Sequence, residues 1–186
     1  FSVAHGDLEA AFAASDVVLE THYRTSFQEH AALEREAALG YIDEEGRVAV
    51  VCATHEPHWQ QSWIAAALAL PPERVRVIVP PTGGSFGGKQ DPWPLTAAGL
   101  LALLVERPVR LAYSRRESFD ASPKRHPYDL HFRVGATAEG RLTGIQVRIV
   151  ANTGGYDGAG YYIPNYAVTG SGGPYRWQAV DAEARA

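Results

Sequence analysis

The stretch Pro80-Pro81-Thr82-Gly83-Gly84-Ser85-Phe86-Gly87-Gly88-Lys89-Gln90 follows directly on the strand-like run Val75-Arg76-Val77-Ile78-Val79. Four glycines, one serine, one aromatic residue and one lysine occupy the seven positions 83–89. Glycine at that density lets a backbone approach a ligand closely, and consecutive free amides in such a loop attract anions. The residues alone leave two readings. Gly83-x-x-x-x-Gly88-Lys89 imitates the phosphate loop of a nucleotide-binding module, but that motif places Ser or Thr after the lysine to hold magnesium, and position 90 is Gln. Asp91-Pro92-Trp93-Pro94 also stands where the helix beneath the phosphate should begin. The second reading is a glycine-rich turn between a strand and the apolar helix 95–106, in a scaffold without catalysis.

Outward from this stretch, the flanking motifs line up. Upstream come Gln28-Glu29-His30-Ala31-Ala32-Leu33-Glu34, then Thr54-His55 with Pro57, the helical Trp63-Ile64-Ala65-Ala66-Ala67-Leu68, and Leu70-Pro71-Pro72-Glu73-Arg74-Val75. Downstream come Arg125-His126-Pro127, Gly140-Arg141-Leu142 and Thr153-Gly154-Gly155-Tyr156. In order and spacing these resemble the molybdenum-cofactor-binding subunit of the xanthine dehydrogenase and aldehyde oxidase family. That family carries a Gly-Gly-Gly-Phe-Gly-Gly-Lys-Glu loop after a strand, a Thr-Gln segment, a short His-x-x-x-Glu signature and a Leu-Pro-x-x-x-Val lead-in. The resemblance extends over nearly the whole chain.

The resemblance implies a molybdenum hydroxylase that oxidises an aldehyde or N-heterocycle with water-derived oxygen at a molybdopterin centre, in simple or dinucleotide form. The cofactor does the redox chemistry and the protein orients it. Gly83, Gly84, Ser85, Phe86, Gly87 and Gly88 would bind the cofactor, with Phe86 packed inside the loop and Lys89 either a compensating charge or a solvated side chain. His55 would lie near the metal and Gln90 near the substrate. Iron–sulfur and FAD centres would sit on partner chains or domains. Three departures from the family pattern bear on this: His55 replaces Gln, Ser85 replaces the middle glycine, and Gln90 replaces a substrate-orienting Glu. No arginine lies between Arg148 and Arg176, so purine oxidation is disfavoured. The family's catalytic glutamate lies beyond this chain, and Glu34 and Glu36 are in the wrong motif to replace it. The 186 residues are therefore expected to be inactive alone, and to need the remainder of the cofactor-binding subunit.

Composition sets the outer bounds. An apolar share of 46% with 20% charged residues is ordinary for a globular chain. A net charge of −4 offers no basic surplus for a phosphate backbone, which excludes nucleic acid as a main partner. Arg115-Arg116 and Lys124-Arg125-His126 read as solvated, balanced by nearby acids. The single cysteine, Cys52, falls in an apolar run and reads as a buried thiol. No run approaches a membrane span, and a cytoplasmic location follows as the expectation. A start at Phe1 and the absence of methionine lead us to expect a piece of a longer polypeptide.

The expected fold class is α+β, with mixed and antiparallel strands and a few packed helices. It forms one partial domain, 1–186, divisible into sub-lobes 1–113 and 114–186. Asp7 should cap a helix over 7–14, and 17–24 should be a strand with His22 at its rim. Residues 28–34 read as helix by propensity, while the resemblance favours a turn. A hairpin at 43–46, a helix over 59–69, a strand at 109–113 and an antiparallel pair 130–135 and 142–150 with a wet arginine face follow from pattern. His55-Glu56-Pro57-His58 is a weak metal candidate because spacing is tight and no further ligand is near. The glycine- and tyrosine-rich segment 153–162 reads as a rigid loop wall, and 181–186 as a short polar tail.

Overall fold

The computed structural model describes residues 1–156 and 158–186; Asp157, within the glycine- and tyrosine-rich segment, lies outside the described residues. The chain forms two compact units, one from 1–28 with 126–186 and the other from 29–125. This division differs from 113/114. The reason is pairing: strand β2 (Val17–Arg24) runs antiparallel to β7 (Tyr128–Ala136) along its whole length, tying the amino-terminal segment to the carboxyl-terminal one.

In the 29–125 unit, β3 (Ala37–Ile42) and β4 (Val48–Cys52) form the expected hairpin. Asp43 holds its turn by accepting the N–H groups of Glu45 and Arg47. No helix forms over 28–34; the segment is irregular and enters β3 directly. From β4 the chain crosses through helix α2 (Pro57–Ala67) into β5 (Val75–Ile78), which lies parallel to β4. A parallel pair demands such a crossover. Strand β6 (Val109–Ala112) closes the other edge, for a sheet order β5-β4-β3-β6.

Helix α3 (Trp93–Val105) covers this sheet. Pro92 and Pro94 occupy its first turn, where a missing N–H costs nothing, and the Asp91 carboxylate accepts the Trp93 N–H. The prolines thus delay the helix rather than break it. Leu95 and Ala98 pack into a core with Val48, Val50, Cys52, Ile64 and Val75, and Ala102 is buried as well. The opposite face leaves Leu100, Leu101 and Leu104 exposed, so only half of this helix belongs to the core. Burial pushes the Cys52 thiol up to about 12, which makes it inert at neutral pH. Helix α4 (Arg115–Ala121) starts on a capping box between Ser114 and Glu117.

The other unit is a five-stranded sheet ordered β1-β9-β8-β7-β2, with β1 (Ser2–His5), β8 (Leu142–Ala151) and β9 (Ala179–Arg185). Asp7 caps helix α1 (Leu8–Ala13) through the Ala10 N–H. The 181–186 segment is no tail: it is most of β9, parallel to β8 and antiparallel to β1. One sheet face buries Ile145, Val147 and Ile149 with Val168 of helix α5 (Ile163–Gly170). The other is charged, with Arg133 and Arg148 on it as expected. Arg133 pairs with Glu20, and Arg148 with Asp181. Among the described residues no helix is long and apolar enough to cross a membrane.

Gly40 of β3 is where α3 comes closest to the sheet: a Cβ there would lie 2.3 Å from the Ala98 carbonyl oxygen and 2.9 Å from the Gly99 nitrogen. Both obstacles are backbone, so the helix itself would have to lift. Gly40→Ala should lower stability by about 1–3 kcal/mol, the usual cost of overpacking, read as a shift in urea midpoint at unchanged slope.

Candidate functional site

Parallel pairing of β4 and β5 sets their carboxyl ends side by side, and neighbouring strands are about 4.8 Å apart. Thr54-His55-Glu56 leaves one end and the loop 80–90 leaves the other. Ligands in α/β arrangements gather outside such strand ends. Here the adjacency brings residues thirty positions apart into bonding distance.

Two side chains from the irregular segment 29–36 back the loop. A Cβ on Gly83 would lie 2.6 Å from the Glu34 Cβ, and one on Gly88 would lie 2.8 Å from the His30 Nδ1. Glycine is required at both ends because His30 and Glu34 already fill the space. Gly84 and Gly87 have φ of 96° and 87°, where an L side chain is strained.

Glu34 does more than fill space. Its Oε2 accepts the Gly83 N–H at 2.7 Å and the Lys89 ammonium at 2.6 Å. The Lys89 side chain is 2% exposed, whereas that of Glu34 is 37% exposed. Lys89 is therefore neither solvated nor free to reach a phosphate. Burial works to raise the Glu34 pKa, but hydrogen bonds from Lys89 and the Gly83 amide outweigh it and hold the carboxyl below its ordinary value. Arg115 steadies the segment by donating to the Ala32 and Leu33 carbonyls at 2.6 and 3.1 Å. Lys124 pairs with Glu29 at 2.8 Å. These two cations are structural anchors, contrary to the expected solvated face, whereas Arg116 extends into solvent beside Asp120.

At the loop's crest the three departures from the family pattern meet. Ser85 Oγ lies 2.9 Å from His55 Nδ1, and the Gln90 amide nitrogen lies 3.3 Å from His55 Nε2. That nitrogen also donates to Glu56 Oε1 at 3.0 Å. Turning the amide over would set its oxygen against the Glu56 carboxylate. With the nitrogen toward both, His55 Nε2 accepts and Nδ1–H donates to Ser85. Ser85 Oγ also accepts the Lys89 N–H, at 3.3 Å, so its own proton is left for a ligand. Beneath, Thr54 donates to the Lys89 carbonyl and fully buried Gln60 donates to that of Gln90 at 2.7 Å.

Phe86 does not pack inside the loop. It has φ of 53° and is 75% exposed, at the crest. The amides of Gly84, Phe86 and Gly87 donate to no acceptor among the described residues. Free amides around residues of positive φ form an anion-binding concavity. His55 and His58 assemble no metal cluster with neighbours among the described residues.

Over residues 1–186 the chain matches the model of the molybdopterin cofactor-binding domain. The chain belongs to this family. It is 39% identical over 181 residues to the nicotinate dehydrogenase large molybdopterin subunit of Eubacterium barkeri, covering 97% of this chain and 43% of that one. With the xanthine dehydrogenase molybdenum-binding subunit of Escherichia coli it shares 32% identity over 164 residues, covering 87% of this chain and 22% of the relative. The chain thus spans less than half the length of these relatives. The fold superposes on the aldehyde oxidoreductase of Desulfovibrio gigas with a TM-score of 0.90 at 23% identity, over 98% of this chain and 21% of that one. As a molybdopterin cofactor-binding domain, the chain has an α+β fold of mixed sheets and packed helices.

Sequence reading singles out the loop, His55 and Gln90, and the structure brings them together. It misses Glu34, His30, Glu56 and Gln60 as supports. The signal for the first two is present in the His30-x-x-x-Glu34 signature, whose partners only the fold reveals.

Removing Glu34 leaves a buried ammonium without its anion. A fully buried pair broken in this way loses about 3–5 kcal/mol, and the partial exposure of Glu34 screens this to about 1–3 kcal/mol. Glu34→Gln should therefore destabilise more than Glu34→Gln with Lys89→Met, a double-mutant cycle read by denaturant unfolding. Because the folded carboxyl sits below its unfolded value, its contribution should be complete above about pH 4.3 and fall away as pH drops through the lower folded value.

Proposed function

We propose that this domain is part of a molybdenum hydroxylase of the xanthine dehydrogenase and aldehyde oxidase type, and that the loop Gly83, Gly84, Ser85, Phe86, Gly87 and Gly88 holds the cofactor. The observation that carries this is the set of unpartnered amides at Gly84, Phe86 and Gly87, on a loop backed by a buried ion pair. Such a surface suits an anionic, bulky group. When bound, the molybdopterin centre supplies the redox chemistry by which an electron-poor carbon gains water-derived oxygen. Of this chain's own residues, the loop amides would hold the group, His55 would lie near the metal with its Nε2 turned to Gln90, and the Ser85 hydroxyl would have its proton free to donate. Gln90 borders the substrate.

Neutral Gln90 and the lack of an arginine between 148 and 176 argue against a purine. An aldehyde or another N-heterocycle fits, and the 39% identity to a nicotinate dehydrogenase subunit supports the heterocycle. The catalytic base would come from outside this chain, so the domain has no turnover alone, and iron–sulfur and FAD centres on partner chains or domains would supply the onward electron acceptors. The enzyme works in the cytoplasm. A nucleotide-binding role finds no support, because the Lys89 ammonium is committed to Glu34.

The full-length protein should contain close to one molybdenum and one pterin per chain by elemental analysis and pterin release. Gly87→Ala strains a left-handed residue by about 1–2 kcal/mol and should cut retained molybdenum roughly tenfold with unchanged secondary structure by circular dichroism. A folded protein with neither molybdenum nor pterin, or with full molybdenum in the variant, would refute the assignment of the loop.

A further inference from the structure

We propose that His22, Asp129 and His131 form a surface site for a borderline divalent cation such as Zn²⁺ or Cu²⁺. None of these residues belongs to the glycine loop, and sequence reading places His22 at a rim. The site is built by register: on β2 and β7, His22 stands directly opposite His131, and Arg24 opposite Asp129. The two imidazoles stack with centroids 4.0 Å apart and planes within 12°. Both aim at one atom, since His22 Nε2 is 2.7 Å and His131 Nε2 3.0 Å from the same Asp129 Oδ1. Among the described residues this is the one grouping of three potential ligands, with all donor atoms within 4.8 Å of one another.

Two nitrogens and a carboxylate oxygen are the donor set that zinc and copper prefer. Tetrahedral coordination at 2.0–2.1 Å implies donor separations of about 3.3 Å, so the histidines must draw back by about 0.3–0.6 Å. Side chains at a sheet surface make that adjustment without moving backbone. Asp129 is ready to ligate. Arg24 binds Oδ2 at 2.7 Å, which orients the carboxylate and leaves Oδ1 toward the histidines. Repulsion from neighbouring cations is offset, because Arg133 pairs with Glu20 and Arg148 with Asp181. Three protein ligands leave the remaining coordination positions to water.

The test titrates the full-length protein with Zn²⁺ by calorimetry and with Cu²⁺ by electron paramagnetic resonance. One saturable equivalent is expected, weakened at least tenfold by His22→Gln and by His131→Gln. Nitrogen hyperfine structure should show two imidazoles in the parent and one in either variant. His58→Ala should bind as the parent does. Metal-free thermal midpoints identify a variant that misfolds, and the other histidine variant then carries the test. Absence of saturable binding, equal binding in the histidine variants, or loss in His58→Ala would overturn the site.

Discussion

A lysine ammonium in a protein interior must be neutralised where it lies, because withdrawing it from water costs several kcal/mol that only a close anion can offset. Lys89 meets that demand with Glu34, and the consequence reaches beyond the pair. The same carboxylate oxygen accepts the Gly83 amide, so the anion that neutralises the end of the loop also fixes its beginning. Six residues of glycine-rich backbone, which would otherwise lose much entropy on ordering, are pinned at both ends by one side chain. His30 fills the space behind Gly88, and Arg115 ties down the segment from which Glu34 projects. The middle of the loop can then keep its amides unpaired without collapsing.

What stands opposite the loop follows from a second constraint, the parallel pairing of β4 and β5. Antiparallel neighbours would have sent Thr54-His55-Glu56 to the far end of the sheet. The helical crossover returns the chain in the same direction, and both strand ends open on one side. Gln60, fully buried on that crossover, reaches the Gln90 carbonyl. The helix that makes the topology parallel thus also supports the site.

Much of the architecture is legible in the sequence because it rests on local pattern. The capped helix at Asp7, the hairpin at Asp43–Gly46, the helix before β5 and the pair β7 and β8 all follow from period, turn chemistry and caps. The misses share a different cause. Residues 28–34 have helical propensity, but Glu29, Glu34 and the carbonyls of Ala32 and Leu33 are drawn to distant partners, and tertiary bonds override a weak local preference. The segment 181–186 resembles a polar tail because its acids and arginine alternate with alanine. That alternation is a strand with one charged face, unreadable without its neighbours. Lys89 and Phe86 depart from expectation in opposite directions, since a lysine's burial depends on a carboxylate fifty-five residues away and an aromatic is normally the buried one.

His55, Ser85 and Gln90 stand in the sequence as three separate departures from the family pattern. In space they are one change, because His55 bonds to Ser85 through Nδ1 and to Gln90 through Nε2. A glycine at 85 would leave the imidazole without its Nδ1 partner. A glutamate at 90 would confront Glu56, whose carboxylate now receives the Gln90 amide. Neutral Gln90 is therefore tied to Glu56 as much as to any substrate, and the imidazole requires the hydroxyl. His55 thus has a partner at each ring nitrogen, so the three substitutions relative to the family form one hydrogen-bonded group at the crest of the loop, with the Ser85 proton left over for a ligand.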